Sequence, residues 1–384
     1  MLHCRGSRQA RCRGSRPAPA RRWPAQPRDR GSRRSSRSSD AWPGAPRSGP
    51  PSRRRRTPAP VRRTAPTRGP RAAPRRAPTS PNARLRSPGL ALTHLLGLVA
   101  GYVADRTFGD PRRWHPVAGF GRVAAALERV TYADARANGV AHVAVLVGAA
   151  ALAGRRVPVM LATWVVLGGT SLDREAAEVE RLLAVGDLDA ARRQVARLVG
   201  RDTSALDEHG VARAALESVA ENTSDAVVAP LVWGALLGAP GLLAYRAANT
   251  LDAMVGHRSP RYERFGWAAA RLDDLLNLPG SRLTALLATV LGDDHAGAWR
   301  VWRRDARHHP SPNAGPVEAA FAGALGVRLG GVNVYAGRPE DRHVLGDGRP
   351  PMHEDLARAR VLARRIGWAA LGVVGATALL RRRR

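Results

Sequence analysis

Residues 216–244 read LESVAENTSDAVVAPLVWGALLGAPGLLA, and this stretch decides the fold. Glu217, Glu221 and Asp225 stand at i, i+4 and i+8, so a continuous helix would put all three carboxylates on one face. Like charges stacked that way repel. They are tolerated when a cation sits between them or when a carboxyl keeps its proton. The same helix then runs into an apolar stretch, Ala226–Ala244, close to the length of about 20 residues that a bilayer core requires. Carboxylates at the mouth of such a stretch are costly, and they are functional candidates for that reason.

Working outward, further apolar runs cover Gly89–Ala104, Gly139–Gly154, Val157–Gly169, Leu283–Gly292, Val317–Val332 and Ile366–Leu380. They are uniformly apolar rather than amphipathic, and rich in Gly and Ala, which let helices approach closely. Arg155, Arg156, Trp164, Trp233, Trp368 and Arg381 border them, as Arg and Trp do at membrane interfaces. No segment alternates with strand period. The pattern predicts an all-α, polytopic integral-membrane helical bundle. A water-soluble helical region over 171–222 should lie at the membrane surface. Two of its helices, ending near Gly186 and Gly200, should pair antiparallel, and a third should begin near Ser204 with Asp207 as its capping partner.

The net charge of +31 is unevenly spread. Of the 62 basic residues, 25 lie in residues 1–86, against two acids, Asp29 and Asp40. That Arg/Pro-rich tail cannot bury enough apolar surface to offset its chain entropy and should be disordered. The reading preferred here is an over-extended start site, with translation beginning near Leu85 to Leu90. The remainder, 87–384, is then the functional domain, and no nucleic-acid partner is expected. The chain has no lysine, which excludes Schiff-base chemistry and a Walker A loop. Both cysteines, Cys4 and Cys12, lie in the tail, so thiolate catalysis and Cys-based metal sites are excluded elsewhere.

Four polar clusters border the apolar runs. DRTFGDPRRWHPV contributes Asp110 and His115. The central stretch contributes the three acids and Asn222. YRAANTLDAMVGHRSPRYERFGWAAARLDDLLN contributes Arg246, Asn249, Asp252, Arg271, Asp273 and Asp274. HHPSPNAGPVEAAFAGALGVRLGG contributes Ser311, Asn313 and Glu318, where a helix entry offers amides to an anion. Separated carboxylates with Arg nearby suit a metal–polyphosphate complex, the acids holding the ion and Arg the phosphate oxygens. Phosphotransfer, prenyl-diphosphate chemistry and ATP-driven ligation all remain open on these residues.

At these four clusters, in this order, the sequence resembles the adenosylcobinamide-phosphate synthases, the CobD/CbiB family of cobalamin biosynthesis. GDPRRWHPV, GRDTSALDEHGVARAALESVAENTSDAVVAPL, NTLDAMVGHRSPRYERFGWAAARLDD and SPNAGPVEAAFAGALGVRLGG carry the likeness, from about residue 90 to the C-terminus. The resemblance implies an ATP-dependent ligase of the cell (inner or plasma) membrane, multi-pass, with its site facing the cytoplasm. It would join the corrinoid adenosylcobyric acid to (R)-1-amino-2-propanol or its O-phosphate, using ATP with Mg²⁺. Glu217, Glu221, Asp225 and Asp252 would then be catalytic, and Asp252, Asp273 and Asp274 metal ligands. Asp110, His115, Asn222, Asn249, Arg246, Arg271, Ser311, Asn313 and Glu318 would bind substrate or phosphate. One departure is Arg246, where the family often has Lys; a charge-only role survives that change. Two alternatives stand beside the ligase, a non-catalytic membrane sensor relative and a membrane prenyltransferase with an Asp-based diphosphate site.

Overall fold

The computed structural model describes residues 88–109, 116–335 and 337–381. The basic tail, Asp110 and His115 therefore lie outside the described residues. Twelve α-helices and one β-hairpin make up the described chain. The first six helices are α1 (Pro88–Phe108), α2 (Pro116–Thr131), α3 (Arg136–Gly154), α4 (Val159–Val166), α5 (Gly169–Ala184) and α6 (Leu188–Val195). Then come α7 (Glu208–Thr223), α8 (Ala229–Leu251), α9 (Trp267–Leu291), α10 (His295–Asp305) and α11 (Ala314–Leu325). Strands β1 (Leu329–Tyr335) and β2 (Arg338–Leu345) precede the closing helix α12 (His353–Arg381).

Two helical stretches are long and apolar enough to cross a membrane: Arg136–Gly154, and the continuous run Glu208–Gly256. The second joins α7 and α8 through a π-helical turn, Ser224–Val228, and leaves α8 through another, Asp252–Gly256. It bends where Gly238 takes a positive φ of 67° just before Pro240, which has no amide hydrogen to continue the ladder. Small residues set the helix spacing. Gly154 lies against Pro240, and Gly280 against Ala229, with no room for a Cβ at either glycine.

Large apolar side chains point outward on the long helices: Leu96 on α1, Val145 and Leu152 on α3, Leu237 on α8, Leu286 and Val290 on α9, and Trp368 on α12. Charged groups go inward instead, with Arg201, Glu217, Asp305, Glu318 and Asp355 all buried.

The structure corrects several sequence expectations. The fold is not all-α. The apolar run Val317–Val332 divides at Gly326, whose left-handed conformation (φ 68°) ends α11. Beyond it, Val332, Asn333, Val334 and Tyr335 alternate, and they pair antiparallel with β2. The run Val157–Gly169 likewise holds only the short helix α4, too brief to span. The helix expected at Ser204 begins at Glu208, with Asp207 as its N-cap accepting from Gly210 N at 2.7 Å. Nor is that helix a surface element. Val211, Ala212, Ala214, Ala215 and Leu216 have no exposure at all, because α5, α11 and α12 pack around it. The expected pairing of α5 with α6 is present.

Candidate functional site

α7 is central, and its polar residues look in two directions. Glu217, one turn before Glu221, is fully engaged. Its Oε2 accepts from Arg201, its Oε1 accepts from Gly330 N at 2.7 Å, and Arg213 Nε lies 4.0 Å away. It ties α7 to the first residues of the hairpin. Asn222 is also engaged, donating back to Ser218 within its own helix. Glu221 differs: no hydrogen bond or ion pair reaches it from the described residues, although it is largely enclosed.

Asp225 lies in the first π-turn, Ser224–Val228, which packs against α9 and α8. There Asp225, Asp252 and Asp273 share one electrostatic field with Glu221, and Asp274 adds to the field at Asp252. Asp252 opens the second π-turn, and like Glu221 it has no hydrogen-bond partner among the described residues.

Asp273 is held on both oxygens. Asn249 Nδ2 donates to Oδ1 at 3.2 Å and Asn277 Nδ2 donates to Oδ2 at 2.9 Å. Arg246 in turn donates to Asn249 Oδ1 at 3.4 Å. The Tyr245 hydroxyl donates to Asn277 Oδ1 at 2.6 Å and lies 2.9 Å from the Asp225 carbonyl oxygen. Burial pushes the Asp273 carboxyl up to about 6; the two amide donors oppose that, and the charges of Asp274 and Glu221 add to it. Asp274 is raised by burial against the pull of Arg271, its ion-pair partner at 3.4 Å. Arg271 itself is 65% exposed.

Ser311 and Asn313 act on the backbone. Ser311 Oγ accepts from Asn313 N at 3.3 Å and Ala314 N at 3.1 Å, at the entry of α11. Asn313 Nδ2 donates to the Asp274 carbonyl at 2.8 Å, while its Oδ1 accepts from Ser281 and Arg282. These contacts fasten α11 to the Asp273–Asp274 turn of α9. Glu318 lies one turn inside α11, with 2% exposure. Burial raises its pKa well above the usual carboxylate range, Glu217 and Glu221 adding and Arg342 and Arg201 opposing.

The structure thus brings Glu221, Asp225, Asp252, Asp273 and Asp274 together, with Glu318 beyond Glu221. Among the described residues, no group of three or more acids or histidines forms a ready cation cage. A magnesium ion carried in with phosphates needs only one or two protein carboxylates. The open oxygens of Asp252 fit that requirement. Sequence reasoning missed Tyr245, Asn277, Arg201, His309 and Arg342. Of these, only Asn277 left a local signal, four residues after Asp273 and so on the same helix face.

The family profile described as CobD/Cbib protein matches residues 98–363. The chain is 54% identical over 299 residues to the cobalamin biosynthesis protein CobD of Mycobacterium tuberculosis, covering 73% of this chain and 96% of that protein. It is 48% identical over 301 residues to that of Chromobacterium violaceum, covering 73% and 96%. With that of Geobacter metallireducens it shares 44% over 288 residues, covering 69% and 90%. No solved structure gives a significant match. On the strength of these matches, the chain belongs to the CobD/CbiB family of cobalamin biosynthesis.

Proposed function

We propose that this chain is the ATP-dependent ligase that joins adenosylcobyric acid to (R)-1-amino-2-propanol or its O-phosphate. The observation that carries the reading is the meeting of Glu221 with Asp252, Asp273 and Asp274, which are drawn from three helical segments. Two of these carboxylates lack any hydrogen-bond partner among the described residues. Such a cluster is tolerated when a cation or cationic substrate enters it or when carboxyls keep their protons, and both suit a site that handles cations and protons.

The chemistry needs these groups. A carboxylate is a poor electrophile, because amine attack would have to expel oxide. Transfer of the ATP γ-phosphoryl to the propionate oxygen gives an acyl phosphate and ADP. The amine nitrogen then attacks the acyl carbon, the C–O bond to phosphate breaks, and amide and inorganic phosphate form. Mg²⁺ would neutralise phosphate charge. Asp252 with Asp273 or Asp274 would hold it, and Arg246 would face the phosphate oxygens. Asn249 and Asn277 keep the Asp273 carboxylate in one orientation. Glu221, coupled to Asp273 on α9 and to Glu318, would take the proton that the incoming ammonium must lose.

The outward apolar side chains of α1, α3, α8, α9 and α12, with charge turned inward, support a multi-pass location in the cell membrane. Because ATP is cytoplasmic, the acidic site would open to that side. The test uses the full chain in lipid nanodiscs with adenosylcobyric acid, MgATP and either amine, with products resolved by mass spectrometry. One ADP per amide formed is expected. ATP consumption without corrinoid amidation, or no reaction with either amine, would overturn the reading.

A further inference from the structure

Gly256 closes the π-turn that Asp252 opens. A Cβ on Gly256 would overlap Asp252 Oδ1 and stand 2.8 Å from its Cγ. The Asp252 carboxylate therefore fills the space that a side chain at 256 would need. Gly256 has no positive φ, so its backbone conformation is one that other residues adopt. Space is what requires glycine here, and the group that takes the space is a site carboxylate.

The same turn is gripped from outside. A Cβ on Gly266 would overlap the Val255 carbonyl oxygen, and a Cβ on Gly139 would overlap the Phe265 carbonyl oxygen. Neither glycine has a positive φ, so both serve close approach. Val255 and Phe265 are fully enclosed. Backbone thus packs on backbone from α3, through the loop before α9, to the Asp252 turn, and backbone cannot swing aside as a side chain can. The loop is pinned to α2 as well. The Tyr262 hydroxyl and Arg261 Nη2 both donate to Glu128 Oε1 at 2.9 Å, and Gly266 N donates to the Tyr262 carbonyl at 2.8 Å.

Three residues before Asp252, Asn249 donates to Asp273 Oδ1 at 3.2 Å, so the end of α8 is where the acids of α9 arrive. The Asp252 carboxylate has no hydrogen-bond partner among the described residues to orient it. Contact with the bare Cα of Gly256 is what it has instead.

We propose that Gly256 is a positioning residue for Asp252. Its missing side chain is the seat of the carboxylate, and the Gly266–Val255 and Gly139–Phe265 contacts hold that seat still. A methyl group at 256 turns the carboxylate off the seat. The assignment rests on the ligase reading given above, in which Asp252 holds the Mg²⁺ of MgATP. At an ordinary helical position Ala is the better residue, so a loss on replacing Gly256 by Ala would run against propensity.

The experiment uses the full chain in nanodiscs. Calorimetry measures MgATP binding, and thermal unfolding without nucleotide or metal measures the fold. Gly256→Ala should weaken MgATP binding about tenfold or more, the usual loss when the support of a metal ligand is disturbed. Its midpoint should stay near that of wild type, because a carboxylate without hydrogen bonds turns at little cost. Asp252→Ala should weaken binding by a similar factor. The double variant should lose no more than either single one, since without Oδ1 the methyl group has room. Gly148→Ala, on α3 with nothing within 4 Å of its Cβ position, should match wild type. Weakening by Asp252→Ala but not by Gly256→Ala overturns the proposal and leaves the ligase reading standing. Losses that multiply in the double variant overturn it too, as does a midpoint drop in Gly256→Ala that persists in the Asp252→Ala background; either makes Gly256 a packing residue. Non-additive weakening in a chain that forms no amide with either amine overturns only the ligase reading. Full MgATP affinity in both single variants overturns both.

Discussion

Asn277 lies one helical turn after Asp273 on α9, and its amide nitrogen donates to Asp273 Oδ2 over 2.9 Å while its carbonyl oxygen accepts the Tyr245 hydroxyl at 2.6 Å. One buried amide therefore fixes both a site carboxylate and the helix α8 that delivers Asp252. Replacing it with Ala leaves Asp273 Oδ2 without its donor and Tyr245 with the Asp225 carbonyl as its acceptor. Asn277→Ala should lose roughly 1–3 kcal/mol of stability, the cost of leaving one buried carboxylate oxygen without its donor. It should also reduce ATP-dependent condensation about tenfold or more by loosening Asp273. Thermal unfolding in detergent and a single-turnover assay measure the two effects. An unchanged midpoint with unchanged rate would remove Asn277 from the site.

Two carboxylates of the central region should fail in opposite ways. Asp252 has no hydrogen-bond partner to lose among the described residues, and Asp274 has only the exposed Arg271, so Asp252→Ala and Asp274→Ala should leave the chain folded and membrane-inserted while abolishing condensation. Glu217→Ala leaves the buried Arg201 without its counter-ion and frees Gly330 N, a loss of roughly 3–5 kcal/mol. Yield and midpoint in membranes should drop for Glu217→Ala alone. Near-normal turnover in Asp252→Ala and Asp274→Ala would count against the acidic site.

These contrasts show what the sequence carries and what it cannot. Glu221, Asp252, Asp273 and Asp274 were legible because an acid beside an apolar run is anomalous on its face. Glu217 looked like one of them, but its partner Arg201 is brought in by the α6–α7 turns, and its second partner, Gly330, lies on the hairpin. Local spacing cannot reveal either contact. The π-turn at Ser224–Val228 breaks the 3.6-residue periodicity at Asp225, and local spacing does not announce it. The hairpin was hidden because LGGVNVY continues an apolar run, and two strands this short pair only through contact with their neighbours. Arg342 was hidden with it.

Acid sensitivity should be traceable to the start of α12. Asp355 is fully buried and its oxygens accept from Arg349, Arg358 and Met352 N, at 2.7–3.0 Å. Despite burial, these donors hold its pKa below the usual carboxylate value. A depressed folded-state pKa contributes stability above the unfolded value near 3.8, and that contribution is lost as pH falls through the folded value. Asp355→Asn should therefore be less stable than wild type at pH 7, by about 1–3 kcal/mol, with the gap closing as pH falls below the unfolded value near 3.8. Chemical unfolding across that range measures it. A gap constant with pH would show that the carboxylate charge is not what holds α12.

The outward apolar surface makes a sharper demand. In water, side chains such as Leu96, Val145, Leu237 and Leu286 would form large exposed patches that soluble monomers avoid. In a bilayer the same residues face lipid, and a charged thiol reagent cannot reach them. The only native cysteines, Cys4 and Cys12, lie far from these positions in sequence, so a Cys4→Ser, Cys12→Ser background gives single-cysteine probes without interference. Leu96→Cys, Leu237→Cys and Leu286→Cys should stay unlabelled by an impermeant maleimide in intact membranes and react after denaturation. Glu340→Cys and Asp347→Cys, exposed on and beyond the hairpin, should react rapidly wherever that face meets water. On the proposed ligase reading the acidic site opens to the cytoplasm, and because Gly330 of the hairpin bonds Glu217, labelling at Glu340 and Asp347 should then appear only in inverted vesicles. Equal labelling of all five positions would place the apolar surface in water, and the bundle would then be a soluble one.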